Sequence, residues 1–287
     1  MKPIAWIAVA LLSLVVVLPV AAQTSTPAAS ETPAAPPAVQ EDDPDRDVNL
    51  AQPDFNLAAL HTTLRVPRHK SAFRVTHRFG RPLGSGDFGD LAADLFGLDT
   101  GAQIGLEYRF GLFRRTQIGI HRTSNRDTQF FFAREVIAQS DFPVTIAAIA
   151  SAEGTNNFRD SYSPALGVII SREVGDRAAL YFEPVWVNNT NPLPEELVDD
   201  NDTILAGLGA RVRIRPSVYL FLEAAPKLAG YNEGVSHVSF GLEKRWGGHL
   251  FQLNFSNNVG TTYAQIARAT RTNDDWFIGF NIARKFF

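Results

Sequence analysis

The sequence contains no cysteine. That absence excludes disulfides, a lipid-modified N-terminal cysteine and thiol chemistry together. The formal net charge of −3 says little about partners, and there is no basic stripe or zinc-ligand spacing to suggest nucleic acid. Beyond Asn56 no apolar run is long enough to cross a bilayer as a helix, and the periodicity of amphipathic helices is scarce. The histidines His61, His69, His77, His121, His237 and His249 have no spacing that gathers three ligands. No metal or other cofactor is expected.

What is present begins with an address. Lys2 precedes an apolar run from Ile4 to Pro19, and Val20, Ala21 and Ala22 lead into Gln23, the order of a charged start, an apolar core and a small-residue cleavage site. We read 1–22 as a secretory signal peptide; an uncleaved anchor helix is the rival reading. Residues 23–54 are rich in Pro, Ala, Thr and Ser and turn acidic from Glu41 to Asp47. They have too little apolar surface to order themselves, so a disordered periplasmic tether is expected. A segment ordered only by docking on a partner is the alternative.

Residues 55–287 carry strand periodicity. Ile104, Leu106, Tyr108 and Phe110 alternate with Gln103, Gly105, Glu107 and Arg109; the run from Ile204 to Ile214 alternates in the same way. About twelve runs have the length of a tilted membrane strand, near 71–80, 101–111, 115–122, 127–139, 143–152, 163–174, 178–188, 203–215, 217–227, 235–246, 249–257 and 273–287. Tight links with turn residues, such as Gly175-Asp176-Arg177 and Gly247-Gly248, alternate with mostly longer polar ones, such as 81–100, 189–202 and 258–272. Short turns on one side and long loops on the other are the layout of an outer-membrane barrel with periplasmic termini. The expected fold is all-β, a transmembrane antiparallel up-and-down β-barrel of about twelve strands.

Parity assigns the faces. A two-residue hairpin at Gly247-Gly248 sets Leu242 opposite Leu253 and Phe240 opposite Phe255 outside, with Glu243 opposite Gln252 inside. A turn at 215–217 sets Val212 opposite Leu220 outside and Arg211 opposite Phe221 inside. Trp186, Trp246 and Trp276 fall near strand ends, as an aromatic girdle requires. The same parity turns Arg74, Arg78, Glu107, Arg109, Glu135, Glu183, Arg211, Arg213, Glu223, Glu243 and Arg245 into the lumen, with Arg211 diagonal to Glu223. Strands spaced about 4.8 Å and tilted about 40°, about twelve in number, enclose a backbone radius of roughly 12 Å. Long Arg and Glu side chains then either ion-pair across the lumen or line a narrow pore.

Four stretches look familiar: FRVTHRFGR from Phe73, LFGLDTGAQIGLEYRF from Leu95, GGHLFQLNFSNN from Gly247 and FIGFNIARKFF from Phe277. They resemble the bacterial outer-membrane β-barrel family catalogued as domain of unknown function 5777, and the resemblance runs from about Thr63 onward. It implies an exported barrel in the outer membrane of a Gram-negative bacterium and carries no established reaction or ligand. A last strand ending in Phe also resembles the signal read by the outer-membrane assembly machinery. Phe280, Ile282, Phe286 and Phe287 are the candidate signal. Apolar parity ends on Phe286 and puts Phe287 on the other face, so which of the two is read stays open.

The run from His121 to Asn125 resembles the Ser-His-Asn site of outer-membrane phospholipase A. There, His and Ser stand two apart on one strand face; here His121 and Ser124 are three apart and point to opposite faces. Acidic loops holding Asp87, Asp90, Asp94 and Asp99, and Glu195, Glu196, Asp199, Asp200 and Asp202, read first as solvated and second as divalent-cation sites. The leading functional expectation is a passive, weakly anion-preferring channel for small solutes. A closed structural or binding barrel that presents loops to partners is the alternative, and a lipid-acting enzyme ranks last. Expected partners are membrane lipid, the assembly machinery and an unidentified periplasmic partner of the tether.

Overall fold

The computed structural model describes residues 49–95, 97, 101–193, 197–269 and 275–287. The expected signal peptide and all but the end of the expected tether lie outside the described residues, as do Asp99, Glu195 and Glu196.

The alternating runs form strands β1 (Ser71–Phe79), β2 (Ala102–Phe113), β3 (Thr116–Thr123), β4 (Thr128–Ile137), β5 (Thr145–Gly154), β6 (Asp160–Val174), β7 (Ala178–Asn188), β8 (Asp202–Arg215), β9 (Val218–Ala225), β10 (Lys227–Gly230), β11 (His237–Trp246), β12 (His249–Ser256) and β13 (Phe277–Phe286). Each pairs antiparallel with its neighbours, and β1 pairs β13 from Ser71↔Phe286 to Arg78↔Gly279. All but β10 close a barrel of 12 strands. Closure leaves no barrel edge with unpaired backbone groups, the condition for crossing lipid with strands.

The expected registers are present: Leu242↔Leu253, Phe240↔Phe255 and Glu243↔Gln252 across one hairpin, Val212↔Leu220 and Arg211↔Phe221 across another. Gly247 and Gly248 have φ of 55° and 75°, the left-handed pair that a tight hairpin of this twist needs.

β10 was not expected. Pro226 has no N–H to give the ladder, and pairing resumes beyond it between Lys227–Gly230 and Thr203–Leu205 of β8. The loops also hold short helices that strand periodicity does not announce, among them α1 (Phe88–Ala93) and α2 (Tyr263–Arg268).

The barrel is inverted relative to a water-soluble one. Leu106, Leu166, Leu220, Leu242 and Leu253 are exposed, while Arg74, Arg78, Glu107, Arg109, Arg211, Glu223 and Glu243 are buried. A continuous apolar exterior of this kind is stable against lipid, not water. Trp186 and Trp276 lie at the long-loop end and Trp246 at the tight-turn end.

Candidate functional site in the barrel lumen

The lumen is occupied. Residues 51–63 are all buried, so the end of the expected tether belongs to the folded barrel. The chain enters at the tight-turn mouth, where Asn49 and Gln52 donate to Glu173 Oε1 at 2.7 and 2.5 Å. It runs inward, reverses at Leu57–Leu60 with Leu57 N donating to Leu60 O at 2.8 Å, and returns with Thr62 N donating to Phe55 O at 2.8 Å. Val66 N then reaches Gln117 Oε1 at 3.0 Å, before β1 begins. Two cavities of about 10 Å³ flank Asp54, each with room for about one water.

The reversal contains no Gly, Pro, Asn or Asp between Leu57 and Leu60, so local turn chemistry does not specify it. The wall does. Glu223 of β9 accepts from the amides of Ala58 at 3.0 Å, Ala59 at 2.9 Å and Leu60 at 3.2 Å, and His237 Nε2 lies 2.8 Å from the same carboxylate.

On the other side of the turn, five side chains donate to three carbonyls. Arg74 Nη2 reaches Leu57 O at 2.7 Å and Ala58 O at 2.9 Å. Arg78 and Asn281 reach Ala58 O at 3.3 and 3.4 Å, Gln252 reaches Leu57 O at 3.2 Å, and Arg211 reaches Asn56 O at 2.7 Å.

A second cluster fixes the base of the hairpin. Arg109 donates to Glu107 at 2.5 Å, to Asn56 Oδ1 at 2.6 Å and toward His61 Nδ1 at 2.9 Å. Its guanidinium carbon lies 4.7 Å from the Phe131 ring centroid. Burial, and then the positive charge of Arg109, hold the His61 pKa well below its ordinary 6.5. The ring is therefore a neutral acceptor at Nδ1.

From the long-loop end α2 enters the same lumen, with Tyr263, Ala264, Ile266 and Ala267 buried. Tyr263 donates to Glu183 and Thr262 to Glu153, and Arg268 lies 3.5 Å from Glu153. The two intruding segments meet: the rings of His61 and Tyr263 are 5.3 Å apart. Leu60 shares an apolar cluster with Ile266, Ile149, Ile169 and Val187.

The expected lumen residues thus divide. Arg74, Arg78, Glu107, Arg109, Arg211 and Glu223 grip the hairpin. Glu243 takes Arg211 bidentately at 2.7 and 2.9 Å. Arg211 therefore does not turn to its diagonal neighbour Glu223, which the hairpin amides and His237 already occupy. Glu183 serves α2. Arg213 pairs with Asp176 at the tight-turn rim, Glu135 sits 3.2 Å from Arg115, and Arg245 is half-buried at the same mouth. Sequence reasoning missed Asn56, His61, His237, Gln252 and Asn281 as parts of this site.

At the other candidate motif, Ser124 Oγ donates to Ala102 O at 3.4 Å, while His121 Nδ1 lies 3.5 Å from Glu107 Oε2 within the lumen. Asp87 and Asp90 cap α1, Asp94 pairs with Arg81, and Asp202 accepts from Trp186 and Asn188. On the last strand Phe280 stacks on His77 with centroids 4.6 Å apart, Ile282 pairs with Val75, and Phe286 and Phe287 are exposed.

The membrane-bound β-barrel domain family DUF5777 matches residues 54–286. No curated protein matches the chain. Among solved structures it is similar to the NanC porin at 8% identity and a TM-score of 0.49, covering 76% of this chain and 99% of that one. It is similar to the KdgM porin in complex with disordered oligogalacturonate at 8% identity and a TM-score of 0.47, with the same two coverages of 76% and 99%. Outer membrane phospholipase A from Escherichia coli matches at 11% identity and a TM-score of 0.39, covering 77% of this chain and 91% of that one.

Proposed function

The chain belongs to the membrane-bound β-barrel domain family DUF5777, and from that premise we propose that it is a porin-like channel, closed at rest by its own residues 51–63 and passing small solutes when they withdraw. As a closed barrel with an apolar outer band, it sits in the outer membrane of a Gram-negative bacterium.

The observation that carries the gating is the way the tip of the hairpin is held. Its carbonyls and amides meet Arg74, Arg78, Gln252, Asn281 and Glu223, groups that water re-solvates once the hairpin leaves. A net value of about 0.5–1.5 kcal/mol per neutral hydrogen bond, and about 1.5–3 for charged ones, gives a closure that is firm yet reversible. Both legs of the hairpin lie at the periplasmic mouth, so withdrawal toward the periplasm needs no threading through the barrel. With the hairpin docked, no wall carboxylate is in ion-pair range of Arg74 or Arg78 among the described residues, although Glu107 stands opposite Arg74 in the register, and the positive charge they bring to an opened lumen favours anions mildly. No catalytic step is assigned, because His121 and Ser124 do not meet.

A closed structural barrel is the second reading, and the apolar packing of Leu60 on Ile266 and Ile149 favours it. Lipid, the assembly machinery acting on the last strand and a periplasmic partner of the tether belong to either reading. Planar-bilayer recording of the full chain separates the two. The channel reading expects brief openings that lengthen in Glu223→Gln; silence in both proteins, each correctly assembled, sustains the structural barrel.

A further inference from the structure

The geometry points to a second occupant for the cradle that now holds the hairpin tip: a short peptide with free termini. This deepens the channel reading and rests on it, since the cradle opens only if the hairpin leaves.

The present occupant is itself a peptide, and the wall reads its backbone at two poles. At one pole Arg74 and Arg78, with Gln252 and Asn281, donate to the carbonyls of Leu57 and Ala58. At the other, Glu223 accepts from the amides of Ala58, Ala59 and Leu60.

The first pole is under-neutralised. The carboxylate in range of Arg74 is Asp54 at 3.9 Å, which belongs to the intruding segment and leaves with it. The Nε atoms of Arg74 and Arg78 are buried and have no hydrogen-bond partner. A ligand carboxylate replaces neutral carbonyls there with charge-assisted, fork-shaped bonds. An ammonium and amide N–H groups replace the hairpin amides at Glu223.

The tip spans Leu57 to Leu60 and places only methyl side chains at Ala58 and Ala59. A peptide of about three small residues engages both poles by laying its carboxylate at the first and its ammonium at the second, across the cradle and not along the hairpin's own chain direction. A simple anion satisfies one pole only, and an uncharged sugar brings no charge to either.

The test uses the full chain, whose lack of cysteine makes Ala59→Cys a unique reporter of withdrawal when labelled by a maleimide in detergent micelles. Trialanine is the probe, with acetate and glucose as controls. The proposal expects trialanine to speed labelling by about tenfold through a shift toward the withdrawn state, and acetate and glucose to leave the rate unchanged. Adding Arg74→Gln with Arg78→Gln, or Glu223→Gln alone, speeds labelling without ligand and removes the further response to trialanine. A merely structural role for these side chains predicts the first change and not the second.

If Glu223→Gln speeds labelling but trialanine never does in the Ala59→Cys protein, the hairpin moves and the cradle is not a peptide site. If acetate equals trialanine, the site is for anions only and the peptide assignment is overturned. If no variant labels, the hairpin is fixed, and the channel reading falls with the inference.

Discussion

The two halves of the barrel wall hold the same hairpin by different physics. From β4 to β7 the inward residues around Leu60 are small or apolar, among them Ala133, Ala147, Ile149, Ala165, Ile169 and Val187, and Leu60 packs into them, while Glu153 and Glu183 on the same strands turn to α2. From β8 through β13 to β2 the inward residues include Arg211, Glu223, Glu243, Gln252, Asn281, Arg74, Arg78, Glu107 and Arg109, most of which bind backbone atoms and polar side chains of the hairpin. The apolar half supplies burial, which is non-directional and tolerant of sliding. The polar half supplies register, because a three-amide grip by one carboxylate is met at one position of the chain.

The comparison is broken most severely by putting charge on the apolar side. Leu60→Asp buries a carboxylate among Ile149, Ile169 and Ile266 with no cation supplied. Undocking relieves the cost, which is roughly 3–5 kcal/mol by analogy with an uncompensated buried charge. The expected outcome is an assembled barrel with the hairpin out, read as sustained conductance with normal folded mobility on a gel. Glu223→Gln comes next. It weakens the grip on three amides by about 1–3 kcal/mol, and hydrogen exchange at Ala58, Ala59 and Leu60 accelerates accordingly.

A pH effect sharpens the polar half. Because docking depresses the His61 pKa, the docked state disfavours its proton. Its contribution is fully present above the undocked value of about 6.5 and is lost as pH falls below it. Open time therefore rises from neutral pH toward pH 5 or so, and His61→Gln flattens that part of the profile. The smallest effect is Ile149→Val, which removes one methylene from the apolar half at a cost of about 0.5–1.5 kcal/mol. It shortens docked lifetimes without altering their pH dependence.

Much of this architecture was legible because a strand's period of two is read directly from sequence. Leu242↔Leu253 and Val212↔Leu220 follow from turn length and parity alone. The occupied lumen was not legible for a physical reason: Leu57–Leu60 turns without turn residues. What bends it is Glu223, about 165 residues away in sequence, and long-range backbone recognition leaves no local pattern. The helix α2 did leave one. Thr262 and Gln265 have the spacing of a capping box, and Gln265 N donates to Thr262 Oγ1 at 3.2 Å. The acidic, Pro- and Ala-rich stretch before the hairpin draws the tether boundary to residue 54, although among the described residues burial begins at Ala51.

The central claim is that residues 51–63 close the lumen reversibly, and one reversible lock tests it most directly. A Cβ on Gly209 would meet the Leu57 side chain, so Leu57→Cys with Gly209→Cys places two thiols within bridging reach in a chain otherwise free of cysteine. Single-channel recording of the oxidised protein should show no openings, and adding reductant to the same bilayer should start them. Identical conductance before and after reduction, with the disulfide verified, would contradict the account.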